Sequence, residues 1–171
     1  GMCCDGTLYD QAKVHLDEVA RTEQAGFKVK QVDQHRSIFL FPCHHLDDKC
    51  CTAYDSWRPK VCSSFLCELQ KQTAAGKCTE ADAMSLIANA LSCRTQIMES
   101  LPEGSSFSAA RQQLTAIATT SAVLAPEEAR LVVRMFVLDR LLDKHFRKPE
   151  KSRLPAANVQ EGAGLKKAIR Q

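Results

Sequence analysis

The sequence predicts a mainly α fold with a few short strands, in which an irregular cysteine-rich N-terminal part packs on a C-terminal helical bundle. Three observations lead to it. Composition divides near residue 75: before it lie seven of the nine cysteines, both tyrosines, the only tryptophan and four of the five histidines. After it the chain turns to Ala, Leu, Met and Ile recurring at helical spacing. The segments before it are short and strand-like, punctuated by turn residues. Three regions follow: 2–75 carrying the cysteine cluster, 76–148 helical, and 149–171 a basic tail, together one compact domain. At 171 residues two separate domains would both be small.

Each element has its own local signal. "KVHL" (13–16) alternates as a short strand does, and Asp17 then caps a helix through Ala25, closed by Gly26. A single helix over Tyr9–Ala25 fits almost as well, because Ala12, Leu16, Val19 and Ala20 share a face. "FKVKQV" (27–32) and "SIFLF" (37–41) read as strands, the second ending at Pro42. Ser63 or Ser64 caps a helix to about Ala75, stopped at Gly76. Thr79 caps the next, to about Ser100, with two adjoining stripes: Met84, Ile87, Leu91 and Met98, then Leu86, Ala90, Cys93 and Ile97. Stripes that wide predict a broadly buried helix. "PEGSS" (102–106) is a turn before a helix over about Ser108–Ala122. Pro126 at a first helical position, with Glu127 and Glu128 behind it, starts a final helix to about His145, stopped by Pro149.

Charge and targeting signals narrow the class. Gly1 ahead of Met2 reads as the remnant of a cleaved expression tag and is left out of the fold reasoning. No basic stretch leads into an apolar signal core, and the most apolar segment is broken by Arg134, Asp139 and Arg140. The expectation is a soluble, cytoplasmic protein that does not enter a membrane. Of the net charge of +3, residues 144–171 contribute +6, leaving a mildly acidic body. That tail reads as a solvated end rather than a nucleic-acid arm: past Phe146 it has no aromatic to stack on a base. The expected partner is another protein, or a second copy of the chain, met through the helical region.

The cysteines are the strongest chemical signal. Residues 42–67 hold five of the nine, at 43, 50, 51, 62 and 67, and a vicinal pair, Cys3-Cys4, stands near the start. A disulfide framework is the weak reading, since cytosolic thiols are kept reduced and the count is odd. Metal ligation, redox chemistry and small buried apolar side chains stay open. The spacing matches neither a paired zinc ribbon nor a bacterial ferredoxin run. Cys67, in the first turn of a helix capped at Ser64, would have its thiolate favoured by free N–H groups. Arg58 and Lys60 would offset clustered thiolate charge, and Pro59 would fix the return from Cys51 to Cys62. His44 and His45 either complete a shell of three cysteines and one histidine or hydrogen-bond a sulfur from outside it. Tyr54 and Trp57 either shield a cluster from water or, the preferred reading, cap a small core. Cys78 and Cys93 read as structural thiols.

The residues between the cysteines carry a resemblance. Cys43, Leu46, Cys51, Tyr54, Arg58-Pro59, Cys62, Phe65 and Cys67, with "CCDGTL" upstream (Cys3 to Leu8), resemble the YkgJ-type cysteine-cluster proteins, described as a zinc- or iron-chelating domain. The likeness covers residues 3 to about 70; the helical part carries none. It implies six metal-ligand candidates, Cys3, Cys4, Cys43, Cys51, Cys62 and Cys67, and leaves Cys50 out. Family members often have two further cysteines upstream of the vicinal pair, without counterparts here. Six exceed a four-coordinate shell, and neighbouring side chains on an extended backbone diverge. The preferred four are Cys4, Cys43, Cys51 and Cys62, followed by Cys67 and then Cys3.

Either Zn2+ or an Fe–S cluster accepts four thiolates. Zinc would be structural, contributing on the order of 10 kcal/mol to folding; a cluster would add electron transfer or sensing. The expected function is a metal-binding protein of structural or regulatory role. The alternatives are an iron–sulfur redox enzyme, a methyl-transfer-associated enzyme and a thiol redox protein. Flagellin lysine N-methylase resembles the same family, which is what implies methyl transfer. No Gly-rich strand-to-helix turn for S-adenosylmethionine is visible, and no CxxC opens a helix.

Overall fold

The structure, a computed structural model, describes residues 1–119 and 124–148. Three strands, β1 (Gln11–Val14), β2 (Val29–Asp33) and β3 (Arg36–Leu40), form an antiparallel sheet in the order β1-β3-β2. β3 is central because Ser37, Ile38 and Phe39 are all buried, whereas β1 buries only Ala12 and Val14 on alternate positions. Leu16–Glu18 form a 3-10 turn that leads into α1 (Val19–Gln24), so a continuous helix over Tyr9–Ala25 does not form. The strand also lies two residues earlier than "KVHL", and Asp17 caps nothing, its carboxylate being paired with Lys60 instead. Gly26 adopts φ +89° just past the end of α1, the left-handed conformation expected of it there.

Beyond β3 lies a hairpin that periodicity did not reveal. β4 (Leu46–Asp47) pairs with β5 (Cys50–Cys51) through Asp48 and Lys49, at φ +36° and +69°. Two positive φ angles are what the tightest hairpin turns require. The helix expected from Ser63 or Ser64 to Ala75 is two pieces. α2 (Lys60–Ser63) ends at Ser64, and α3 (Glu68–Ala74) starts afresh at Cys67. The Cys67 sulfur accepts from the Gln70 N–H at 3.5 Å, and the Gln70 side chain returns a bond to the Cys67 N–H at 3.0 Å. A thiol thus performs the capping that a serine hydroxyl was expected to perform.

The helical region follows the sequence more closely. α4 (Glu80–Met98) is capped by Thr79, α5 (Phe107–Ala118) by Ser106, and α6 (Pro126–His145) opens on Pro126. The expected continuation of α5 through 120–122, the stop at Pro149 and the basic tail 149–171 lie outside the described residues. One expectation is corrected: α4 is not broadly buried. Ala83, Ala90 and Ile97 form its buried line, whereas Met84 is 64% and Leu91 41% exposed. Ala90, with no exposed surface, lets the backbones of α4 and α6 approach, and a narrow line of contact suffices. α6 packs on both α4 and α5 through Met135, Leu138 and Leu142. Fully burying each of those leucines contributes about 1.5–3 kcal/mol. The outward row Val133, Phe136 and Val137 stays exposed. No helix among the described residues is long and apolar enough to cross a membrane.

The two parts share one core. Leu8, Cys67 and Leu69 are buried in the same cluster as Ile97, Leu138 and Phe146. Two arginines make the junction specific. Arg111 of α5, only 7% exposed, donates to the Gly6 carbonyl at 2.9 Å and the Thr7 carbonyl at 2.6 Å. Arg147, just past α6, donates to the Leu8 carbonyl at 2.7 Å. Asp139 accepts both guanidinium groups on one oxygen, at 3.4 and 3.0 Å. Carbonyls that no strand or helix satisfies would be costly to bury; the two side chains supply the missing donors.

Removing a buried ionic partner strands the other, with losses of about 3–5 kcal/mol. Arg111→Ala should therefore lower unfolding free energy by about that much in a denaturant titration. Arg130→Ala, which breaks the exposed Arg130–Glu127 pair, should change it by about 0–1 kcal/mol.

Candidate functional site

Four segments deliver thiols to one place. The N-terminal loop 1–10, held by the arginines, carries Cys3 and Cys4. Gly6 at φ +84° turns that loop, a conformation a side chain would strain. Its register against the sheet is set by the Cys43 N–H, which donates to the Cys4 carbonyl at 2.7 Å, and by the Phe41 N–H donating to Asp10 at 3.0 Å. Cys43 therefore leaves β3 directly beside Cys4. Cys51 comes from the hairpin, where it is half-buried, and its neighbour Cys50 is exposed, as alternation along a strand dictates. Cys62 comes from α2. The buried Glu18 carboxylate accepts from the Lys60 N–H at 3.1 Å, tying the start of α2 to α1, and Pro59 before it is fully buried. The turn that was expected to return the chain from Cys51 to Cys62 is thus anchored at both ends.

Cys3, Cys4, Cys43, Cys51 and Cys62 line one cavity of about 650 Å³, which Cys50 also reaches from its exposed position. Within it the thiols fall into two sets. Burial pushes the Cys62 thiol up to about 12, and the neighbouring Cys4, Cys43 and Cys51 push the same way, while Arg58 opposes them. Cys4 is raised by burial and then by Cys43 and Cys51; Cys43 is raised by burial, against a hydrogen bond from the His45 backbone. Cys3 is pushed up to about 11 by burial, then by Cys4 and Cys67. The packing divides the same way: Cys4, Cys43 and Cys62 belong with the sheet, Cys3 and Cys67 with the helices. All nine cysteines are free thiols.

The remaining expectations sort as follows. Cys67 is brought near Cys3 but does not line the cavity that holds the other five candidates. Neither histidine ring reaches a sulfur. His45 bonds the Ala25 carbonyl at 2.9 Å and Thr52 at 3.3 Å, and His44 lies against Phe27 and His45. Lys60 is paired with Asp17 at 3.2 Å, so of the two expected cations Arg58 alone acts on the thiols. Tyr54 is 63% exposed, so it caps no core; Arg58 lies 4.3 Å from its ring centroid. Cys78 and Cys93 are half-buried against the helical core. Sequence reasoning missed Arg111, Arg147 and Asp139. The signal for Arg111 and Asp139 was charge on otherwise apolar helix faces; Arg147 lay among the basic residues that close α6.

Cysteine thiolates are the donors that zinc and iron–sulfur centres take, and four from one cavity would be the right number. As they stand, however, no group of three or more His, Cys, Asp or Glu among the described residues is arranged to hold a metal ion. The thiols face a common space without converging to the roughly 2.3 Å bonds of a closed zinc shell. Compared with family models, with curated proteins and with solved structures, the chain gives no match.

Because burial lifts the thiols above their ordinary value of 9.0, the folded chain holds protons that the unfolded chain releases first. That stabilisation is complete below about pH 9 and is lost as pH climbs through about 11 and about 12. The denaturation midpoint of metal-free protein should accordingly fall between about pH 8.5 and about pH 10.5, and fall less in Cys62→Ala.

Proposed function

We propose that the chain is a metal-binding protein whose centre is built by Cys4, Cys43, Cys51 and Cys62, serving a structural or regulatory role. The observation that carries the reading is the delivery of four thiols, from positions far apart in sequence, to one cavity wall. Three backbone devices do this: the Cys43–Cys4 hydrogen bond, the hairpin turn at Asp48-Lys49 and the Glu18-anchored start of α2. Free thiols gathered by three such devices serve packing poorly, since any small apolar residue would fill the same space. The spacing that resembles the YkgJ-type cluster is a second support.

Binding would draw the four sulfurs inward, and each swings on a single side-chain torsion. The metal, Zn2+ or the iron of a cluster, would supply the positive charge that stabilises thiolates, against the burial that raises Cys4, Cys43 and Cys62. Ligation must therefore release protons, and affinity must fall as pH falls. Cys3 and Cys67, on the helical side of the loop, are the next candidates and would serve a larger centre. Raised thiols at Cys3, Cys4, Cys43 and Cys62 do not favour a thiol redox enzyme, which needs a thiolate near neutral pH. A protein partner or second copy, if the helical region engages one, would meet the exposed row Val133, Phe136 and Val137.

Protein purified without air should carry either about one zinc per chain and no colour, or iron with acid-labile sulfide and a visible absorption band. Cys4→Ser, Cys43→Ser, Cys51→Ser and Cys62→Ser should each weaken binding at least about tenfold, while Cys50→Ser and Cys78→Ser leave it unchanged. Protein free of metal, with every thiol titrating independently, would overturn the reading.

A further inference from the structure

The cavity beside the thiols is larger and differently lined than a metal site alone requires. At about 650 Å³ it falls in the range of small-molecule pockets, whereas one ion within a shell of sulfurs needs a small fraction of that. Its wall is mainly apolar, with the rings of Tyr9, Phe27, Phe41, Tyr54 and Phe65 on it. Three cationic side chains, Lys13, Lys49 and Arg58, line it beside the N-terminal residue Gly1, and no Asp or Glu does. None of the three has a carboxylate partner among the described residues; that is common for the lysines here, of which Lys60 and Lys71 are paired, but sets Arg58 apart from Arg36, Arg94, Arg111, Arg130 and Arg147. The Arg58 guanidinium carbon lies 4.3 Å from the Tyr54 ring centroid, a cation–π contact that does not use up its N–H donors.

Thiolate charge alone does not account for this imbalance. A tetrathiolate zinc centre would carry a net charge of about −2, which the three cationic side chains exceed. We propose that the cavity binds a small organic anion with an aromatic or other apolar body, its carboxylate on Arg58 and the two lysines and its body against the rings. Guanidinium and carboxylate match in a two-bond fork, and the rings supply apolar contact that water does not. The proposal does not depend on a metal being bound.

The test uses 2-naphthoate and its uncharged counterpart 2-naphthamide, titrated by calorimetry into the full chain with and without metal, metal content being measured on the same samples. The naphthoate should bind one per chain and at least about tenfold more tightly than the amide, the preference shrinking as salt is raised. Arg58→Gln should abolish most of that preference and Lys13→Gln/Lys49→Gln the rest, with Lys77→Gln, outside the cavity, unchanged; circular dichroism checks that each variant is folded. Equal binding of acid and amide, no saturable binding, or an unaltered preference in the triple variant would overturn the proposal. Anion preference in protein that takes up no metal would overturn the metal reading and leave this one standing.

Discussion

The constraint on which the rest of the structure depends is the need to satisfy three buried carbonyls in a loop that belongs to no helix or strand. Gly6, Thr7 and Leu8 lie inside the molecule, and Arg111 and Arg147 donate to their carbonyls from α5 and the end of α6. Asp139 holds the two guanidinium groups together, and Asp10 and Asp143 take one further contact each. Every member of this network has a partner of opposite charge, which offsets much of the cost of burying it, although the buried Arg111 Nε has no hydrogen-bond partner. Burial of Leu8 drives the loop onto the bundle, and the network satisfies the carbonyls that this burial takes out of water.

That junction locates the thiols. Cys3 and Cys4 sit three and two residues before Gly6, so the clamp on the following carbonyls fixes where they emerge. Leu8 enters the helical core on one side, while Cys43 pairs with Cys4 through the backbone on the other. The vicinal pair therefore straddles the boundary between the two cores, with Cys3 facing Cys67 and Cys4 facing the sheet-side thiols. A change at one face of the loop must be felt at the other, because the intervening backbone is held at both ends.

The helical region has a different logic. Its core is narrow: Ala83, Ala90 and Ile97 on α4 meet Met135, Leu138 and Leu142 on α6. The apolar residues left over, Met84 and Leu91 on one helix and Val133, Phe136 and Val137 on the other, remain at the surface. Apolar periodicity says which residues are able to be buried, but the number of neighbouring elements decides how many are. With α5 covering part of α6 and nothing described covering the remainder, two stripes' worth of apolar residues become one buried stripe.

What the sequence determined by itself is whatever depends on residues close along the chain. Helix starts at Thr79 and Pro126, the turn at Gly26 and the strands on either side of residues 34–35 all rest on contacts within a few positions. The interaction of Cys4 with Cys43 was legible too, as a grouping of candidate ligands, though not as the backbone bond that creates it. Tertiary structure alone decided the rest. Cys67 became a helix cap because α2 ended early; Lys60 went to Asp17; and Arg111 of α5 and Arg147 just past α6 found carbonyls more than a hundred residues away. A guanidinium on an apolar face looks like an interruption until the carbonyl it satisfies is known. That carbonyl is set by the path of a loop with no periodicity of its own.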